Sequence, residues 1–224
     1  IFKNQVGGSF ETEEFLYEHG VVDYVREVAA EKNFTSIQDV SCERKGRDRS
    51  DKPDYKVKMQ IAFCFSNSNT LLEYYHNSSF LEHGGSPDKA VRLAFVAGID
   101  AYIKSLGKYT KNESKITFND VSDSLILVSN SFSTQTSYEN QTKKAINNKF
   151  IADSMNEFIR HSLEVYFIEN KFEADKIAEQ VLINKRSRES AEKMRINVKK
   201  KLSGNLDISS RIQKFVDCRT RDVN

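Results

Sequence analysis

The sequence predicts a mixed α+β fold in its first two thirds, followed by a helical segment. Before Ala145, short alternating apolar runs, typical of strands, are interspersed with apolar residues three or four positions apart, typical of helices. After Ala145 only the helical spacing recurs. This order favours an α+β or a mixed α/β arrangement with long helices at the end. Because the 224 residues include only two prolines, long uninterrupted elements are expected.

The first elements are predicted to be a hairpin and a helix. Residues 1–17 contain two apolar stretches separated by Gly7-Gly8, a pair that suits a tight turn. Residues 20–31 carry valine, tyrosine and alanine at helical spacing, which predicts a helix. The highly charged stretch Glu43–Asp54 is predicted to be a loop or a disordered segment.

A second hairpin is predicted next. In Lys56–Phe65, large apolar residues alternate with smaller or polar ones, as expected for a strand with one buried face. A turn at residues 67–69 and a second run at Thr70–Tyr75 predict that the chain returns to pair with the first strand.

Two helices and a short strand are predicted in the middle of the chain. Ser86-Pro87-Asp88 suits a helix start, with the serine as the cap, and Gly107 suits its end. Leu125–Val128 is predicted to be a short buried strand. A further helix is predicted from about Ala145 to about Glu169.

The last predicted helical region has an apolar part and a basic part. After Asn170, Ile177, Val181 and Leu182 are spaced for a buried face. From Asn184 to Lys201 cations dominate, which predicts a long exposed helix. A solvated charged face is the commoner origin of such a pattern, and a surface that attracts DNA phosphates is the alternative. The basic residues are Lys185, Arg186, Arg188, Lys193, Arg195, Lys199, Lys200 and Lys201.

Composition limits the classes of function. The formal net charge is only +2, so any attraction for nucleic acid must come from a local surface. The three cysteines lie far apart and suggest neither a disulfide framework nor a zinc site, which favours a reduced, cytoplasmic setting. No apolar run approaches the roughly 18–20 residues of a membrane span, so no membrane partner is expected. The chain begins at Ile1 inside a predicted strand and is therefore expected to be a fragment.

No complete catalytic or metal site is evident in the sequence. The four histidines have no metal-ligand spacing. A Ser-His-Asp arrangement and a glycine-rich phosphate loop are both missing from the sequence. We therefore expect neither a metal site nor a catalytic centre within this chain alone.

The candidate site is the polar segment Tyr138–Asn148, which precedes a predicted helix. Gln141 brings an amide donor, Thr142 a hydroxyl and Lys143 a mobile positive charge, while a helix end offers free N–H groups. These groups suit contact with a phosphate, and the missing nucleotide pocket suggests that the phosphate is held elsewhere. A solvated surface lysine is the competing interpretation of Lys143.

Five segments of the chain resemble the B subunit of bacterial DNA gyrase and topoisomerase IV, in the same order. They are similar to the family's aromatic-x-Tyr-Glu-Gly-Gly opening, its Gly-Gly-Thr-His-Glu motif, its Asp-Val-Arg-Glu-Gly-Leu motif, its Gln-Thr-Lys loop and the linker before its Toprim domain. Ser-Pro-Asp replaces Thr-His-Glu, which marks a divergent member, whereas Gln-Thr-Lys is intact. The five segments are Phe15–Val25, His83–Asp88, Phe118–Leu125, Gln141–Lys143 and Asp217–Asp222.

The resemblance implies the transducer domain of that subunit. Its fold is a sandwich like domain 2 of ribosomal protein S5, with a left-handed βαβ crossover. On this pattern residues 1–170 form the S5-like transducer domain and residues 171–204 form a long basic helix directed toward the DNA gate. Residues 205–224 form a linker toward a Toprim domain.

The resemblance also implies roles for the loop residues. By the family pattern, Lys143 reaches the γ-phosphate of ATP bound in a preceding GHKL domain, and Gln141 supports it, so both are assigned to catalysis of ATP hydrolysis. Gln141, Thr142 and Lys143 together are the implied ATP contacts. Mg²⁺ is implied for the parent protein, with no ligands in this chain.

The implied function is coupling of ATP binding and hydrolysis to DNA strand passage. The implied partners are double-stranded DNA, which the basic helix faces, the topoisomerase A subunit and a second B subunit joined through the ATPase domain. The alternative is the S5-like second domain of another GHKL protein, such as the mismatch-repair protein MutL or the Hsp90 chaperones. In that case the chain acts as a structural or protein-interaction module.

Overall fold

The computed structural model describes residues 1–14 and 16–204, with side chains as far as residue 200. This part of the chain divides into two compact units, Ile1–Asn184 and a second that begins at Lys185. The predicted linker at residues 205–224 lies outside the described residues.

The first unit contains a two-stranded hairpin and a five-stranded sheet. The hairpin pairs β1 with β2, and the sheet has the order β3-β4-β7-β5-β6. Neighbouring strands are antiparallel except β5 and β7, which are parallel. The strands are β1 (Phe2–Val6), β2 (Ser9–Glu13), β3 (Gln38–Gly46), β4 (Tyr55–Phe65), β5 (Leu71–His76), β6 (Ser79–Phe80) and β7 (Leu125–Ser133).

The described helices lie on both faces of the sheet. The first contacts β4 and β7 on one face, while the second and fourth pack against each other on the opposite face. The helices are α1 (Val21–Ala29), α2 (Ser86–Ser105), α3 (Phe118–Ser122), α4 (Lys149–Glu169) and α5 (Lys171–Gly204).

This architecture confirms the mixed α+β prediction. The predicted first hairpin is present, with its turn at Gly7-Gly8, and so is the helix predicted within residues 20–31. The parallel strands β5 and β7 are joined through α2 and α3, as in the crossover that the resemblance implies. The left-handed sense of that crossover stays a prediction.

Strand β4 divides the core into two layers because both of its faces are buried in its second half, residues 61–65. Met59 and Phe63 point into the larger layer, where they meet residues of α2 and α4 such as Phe95 and Met155. Ala62 and Cys64, on the opposite face of β4, belong to a smaller layer beneath α1. The alternation read from the sequence is therefore correct for residues 55–60, whereas from residue 61 onward the alternate face is buried as well.

The prediction of a loop at Glu43–Asp54 is wrong for its first four residues. Glu43–Gly46 completes β3, which pairs with β4 in an unbroken antiparallel register. Because β3 is an edge strand, its charged side chains remain in solvent, as is usual for sheet edges. Composition does not reveal such a strand, because its charged residues resemble those of a loop.

The predicted pairing of the second hairpin is also wrong. β5 is a strand, but it does not pair with β4, because β7 lies between them. β7 is antiparallel to β4 and parallel to β5. A strand and turn that follow each other in sequence favour a hairpin, and nothing local reveals a later strand that separates them.

Two predicted helix starts are corrected. Ser86 does not cap α2: its side chain is buried, and its hydroxyl donates to the carbonyls of Ile146 and Asn148 at 3.2 and 2.8 Å. The fourth helix begins at Lys149 rather than near Ala145, because residues 145–148 run extended beside the start of α2. The spacing of apolar residues in the sequence located the two helices but not the conformation of the residues at their starts.

Helix α5 is continuous from Lys171 to Gly204, and no break separates its apolar from its basic part. Ile177 and Val181 are fully buried in the core of the first unit. That unit consequently extends to Asn184, beyond the first residues of the helix.

Candidate functional site

The Gln-Thr-Lys loop, defined here as residues 137–147, is a small irregular hairpin between β7 and α4. The amide of Asn147 donates to the carbonyl of Ser137 at 2.9 Å, and the amide of Glu139 donates to the carbonyl of Ala145 at 3.0 Å. Its tip is a turn closed by the amide of Lys143 on the carbonyl of Asn140, at 3.3 Å. Local hydrogen bonds thus fix the position of the tip relative to the two arms of the loop, which are the segments before and after the turn.

The base of the loop is anchored to the start of α2. Ile146 is fully buried, and its carbonyl accepts a 2.8 Å hydrogen bond from the amide of Ser86. The amide of His83 donates to the carbonyl of Lys144 at 2.9 Å. The segment that resembles the family's Gly-Gly motif is therefore the surface on which the Gln-Thr-Lys loop rests.

Gly85 explains why this surface requires glycine. Its φ of +85° lies in the left-handed region, and a Cβ atom there would lie 2.1 Å from the carbonyl oxygen of Ile146. That neighbour is backbone and cannot move aside as a flexible side chain can. The absence of a side chain at Gly85 lets the loop pass close to the helix start.

Gln141, Thr142 and Lys143 lie together at the tip, and all three side chains are exposed. The Thr142 hydroxyl donates to the side-chain oxygen of Asn140 at 2.5 Å. The Lys143 ammonium lies 5.7 Å from the centroid of the Tyr138 ring, close enough for a weak cation–π contact. The three sequence-predicted residues therefore form one cluster that is open to an approaching ligand.

Two ion pairs join the loop to its surroundings. Lys144 pairs with Glu82, and the Lys89 ammonium lies 3.8 Å from the carboxylate of Glu139. The hydrogen bond and the positive charge of Lys144 lower the pKa of Glu82 below its usual value. Neither Glu82 nor Lys89 was identified from the sequence, because their partners become neighbours only in the folded chain.

A buried histidine fixes the segment that leads into the loop. The His76 ring nitrogens lie 2.8 Å from the Ser131 hydroxyl and 2.9 Å from the Thr136 hydroxyl. Burial among these uncharged groups lowers the pKa of His76 to about 4, so the ring is neutral at pH 7. Sequence reasoning considered His76 only as a metal ligand and missed this role.

A second polar cluster fixes the segment that leads out of the loop. The Asn148 side-chain oxygen accepts a hydrogen bond from the amide of Ser137 at 2.7 Å, and its amide nitrogen donates to Asp48 at 2.9 Å. Asp48 also accepts from the amide of Phe150 at 2.8 Å, in the first turn of α4. The sequence places Asp48 in a charged loop, and only its distant partners reveal this contact.

The second unit carries all eight predicted DNA-facing residues, and their exposure differs. Arg186, Lys193, Arg195, Lys199 and Lys200 are exposed, and Arg188 is partly exposed. The Lys201 side chain lies outside the described residues.

The prediction that Lys185 faces DNA differs from the structure. Its side chain is fully buried, and its ammonium lies 3.6 Å from the carboxylate of Glu189. In this structure its charge is not available to an external phosphate. Sequence spacing could not separate it from its exposed neighbours, because its charge matches theirs.

Within residues 1–14 and 16–204, no helix is long and apolar enough to cross a membrane. In the same part of the chain, no three His, Cys, Asp or Glu side chains form a group that could hold a metal ion. The exposed loop tip and the basic helix therefore remain the candidate sites of the described chain.

Known structures resemble this fold. The ATPase domain of Thermus thermophilus gyrase B in complex with an aminocoumarin superimposes with a TM-score of 0.66, covering 84% of this chain and 49% of that chain at 18% identity. The topoisomerase IV ATP-binding domain of Francisella tularensis gives a TM-score of 0.59, covering 78% of this chain and 44% of that chain at 21% identity. At these identities the likeness shows the fold alone.

Sequence comparisons identify the family. The DNA gyrase B protein of Campylobacter jejuni is 26% identical over 98% of this chain and 27% of its own length. The DNA gyrase B protein of Streptococcus pyogenes serotype M1 is 27% identical over 97% of this chain and 32% of its own length. The chain thus spans about a third of the length of these relatives. The family model described as DNA gyrase B matches residues 20–197, and the chain therefore belongs to the DNA gyrase B family.

Proposed function

We propose that this chain is the transducer region of the ATPase-bearing subunit of a type IIA topoisomerase. In this role it couples ATP binding and hydrolysis in a neighbouring GHKL domain to DNA strand passage. The observation that carries the proposal is the exposed cluster Gln141, Thr142 and Lys143 on a loop whose base is buried. Because the three side chains face solvent, a nucleotide that they contact must be held mainly by another surface.

The donors at the tip suit a terminal phosphate. Lys143 offers an ammonium, Gln141 an amide N–H and Thr142 a hydroxyl, which together match the acceptor oxygens of a phosphate. Among the described residues no carboxylate lies within ion-pair distance of the Lys143 ammonium. An incoming γ-phosphate therefore does not have to displace an existing anionic partner.

Coupling follows from the difference between nucleotide states. ATP presents a γ-phosphate to Lys143, and hydrolysis with phosphate release removes it, so the contact exists in only one state. A ligand shifts a conformational equilibrium only through such a difference. Because Ile146 accepts a hydrogen bond from the start of α2 and Ser137 donates one to Asn148, just before α4, we expect movement of the tip to be transmitted to both helices.

The exposed part of α5 is the proposed DNA-facing surface. Its cations attract phosphates without regard to base sequence, which suits a duplex that must pass rather than bind tightly. We assign this role to the seven predicted residues other than Lys185. We further propose residues 1–170 as the transducer domain, residues 171–204 as the helix toward the DNA gate and residues 205–224 as a linker toward a Toprim domain.

The remaining partners are proposed on family membership. They are double-stranded DNA, the topoisomerase A subunit and a second B subunit, in a cytoplasmic enzyme that uses ATP and Mg²⁺. The described part of this chain contributes tip donors to ATP but brings together no ligand group for Mg²⁺. We therefore assign no metal step to its residues.

The test is ATP turnover by the full-length protein that carries Lys143→Ala. We expect turnover to fall by about 10²-fold or more, because a preorganised cation on a developing phosphate charge is lost. Lys111→Ala, which removes an exposed lysine from the loop after α2, is the matched control and should leave turnover unchanged. Unchanged turnover in Lys143→Ala would refute the proposed function.

A further inference from the structure

We propose that Glu82 is a positioning residue for the phosphate-contacting tip of the Gln-Thr-Lys loop. By pairing with Lys144, Glu82 holds the loop on the start of α2 and leaves the adjacent Lys143 to meet the phosphate. The consequence for ATP turnover rests on the proposed function. The contact between the loop and α2 does not, and it can be measured separately.

The geometry distinguishes two neighbouring lysines that are equivalent in the sequence. The Lys144 ammonium is paired with Glu82, whereas the Lys143 ammonium lies over the Tyr138 ring. Lys143 adopts a left-handed backbone conformation, with φ of +57°, at the point where the turn ends. The loop therefore presents one lysine outward and directs the next one toward its own domain.

Residue 144 is held at two points by the same short segment. The carbonyl of Lys144 accepts a 2.9 Å hydrogen bond from the amide of His83. Its ammonium pairs with the carboxylate of Glu82, the residue before His83. On the other arm of the loop, the Glu139 carboxylate lies 3.8 Å from the ammonium of Lys89 in α2. Ion pairs therefore join both arms of the loop to the region where α2 begins.

The Glu82–Lys144 pair is exposed, so its effect must be local. The Glu82 and Lys144 side chains are 51% and 43% accessible, respectively, and exposed pairs contribute little to global stability. A contribution of that size still changes the closed-to-open ratio of a loop by roughly two- to fivefold. We therefore expect an effect on loop opening without a change in global unfolding.

The first experiment measures amide hydrogen exchange in this chain with Glu82→Lys, with Lys144→Glu and with both changes. Each single variant should speed exchange of the His83 amide, which donates to the carbonyl of Lys144, by roughly two- to fivefold, because like charges then face each other. The double variant restores an opposite-charge pair and should restore wild-type exchange.

A matched control is Glu43→Lys. Glu43 is likewise an exposed carboxylate paired with a lysine, Lys56 at 2.9 Å, but it lies on β3. This variant should leave the exchange of the His83 amide unchanged. Wild-type exchange in both single variants, or failure of the double variant to restore it, would overturn the proposed contact.

The second experiment measures ATP turnover of the full-length protein with the same variants. Glu82→Lys should lower kcat about two- to fivefold with KM for ATP unchanged, since fewer loops are correctly placed, and the double variant should recover kcat. Faster exchange with wild-type kcat would overturn the positioning role. Failure of the proposed function itself is recognised separately, because only in that case would the Lys143→Ala variant keep full ATP turnover.

Discussion

At the scale of single residues, the close approach between Gly85 and Ile146 makes the loop and the start of α2 interdependent. A Cβ at Gly85 must displace the backbone of residue 146, which precedes the first turn of α4. Gly85 also has a φ of +85°, which is unfavourable for any residue other than glycine. Two separate penalties therefore act against substitution at one position.

Gly85→Ala is expected to destabilise the fold by about 3 kcal/mol, from backbone strain together with steric overlap. Gly20→Ala is the matched control, because Gly20 has a φ of +60° but no atom within 4 Å of its added Cβ. It should cost only about 1–2 kcal/mol, the penalty of the left-handed conformation. Chemical denaturation measures both values, and equal losses would contradict the role assigned to Ile146.

His76 gives a prediction about pH. Its folded pKa of about 4 lies below the 6.5 of the free side chain, so the unfolded chain binds a proton first as the pH falls. The stability that neutral His76 provides is fully present above pH 6.5 and is lost as the pH falls toward 4, by up to about 3 kcal/mol.

Unfolding free energies at pH 7 and pH 4.5 should therefore differ more in the wild-type chain than in His76→Asn. Asparagine keeps hydrogen-bonding capacity toward Ser131 and Thr136 but does not titrate in this range. Identical pH dependence in the two proteins would show that the pKa of His76 is the same in the folded and the unfolded chain.

At this scale the sequence indicated the candidate tip but not the residues that support it. Gln141, Thr142 and Lys143 could be recognised because their chemistry and order are local. Glu82, Asp48 and their partners could not, since the contact between Asp48 and Phe150 joins residues 102 positions apart. The candidate phosphate-contacting groups were visible in the sequence, whereas the groups that hold them require the fold.

At the scale of elements, the periodicity of the sequence predicted most helices and strands but not the order of the strands. β4, α1 and α2 follow from alternation or helical spacing within one segment. The position of β7 between β4 and β5 depends on pairing across many residues, for which the local pattern carries no information. Edge strand β3 was missed because its charges resemble those of a loop.

Helix α5 was likewise predicted only in part from the sequence. Its length was predicted from the scarcity of helix breakers, and its basic character from composition. The end of its packed part was not predictable, because Lys185 continues the charge pattern while its side chain is buried. Burial separates this lysine from the exposed cations that follow.

DNA binding by the chain is expected to depend on the exposed cations of α5. Replacing Lys193, Lys199 and Lys200 with glutamine should weaken binding and reduce the slope of log K against log salt by up to about 2.7, or 0.9 for each lost phosphate contact. Replacing Lys45, Lys56 and Lys58 on β3 and β4 is the control with equal charge loss. Equal effects of the two triple variants would contradict a DNA-facing surface on α5.

At the scale of the whole molecule, the first unit links a solvent-facing loop tip to both helices packed on one face of the sheet. The tip is accessible, the base is buried, and hydrogen bonds run from the base to the start of α2 and to Asn148, which precedes α4. Because protein cores are densely packed, a displacement at the base is not absorbed locally. This arrangement suits a domain that reports on a nucleotide bound beside it.

The most direct measurement is hydrogen exchange of the tip amides, residues 141–143, in the full-length protein with different nucleotides. With a non-hydrolysable ATP analogue, contact with the γ-phosphate should slow their exchange by about tenfold or more relative to ADP. Lys143→Ala should reduce that difference. Equal exchange of these amides with the analogue and with ADP would contradict the central claim that this loop senses the terminal phosphate.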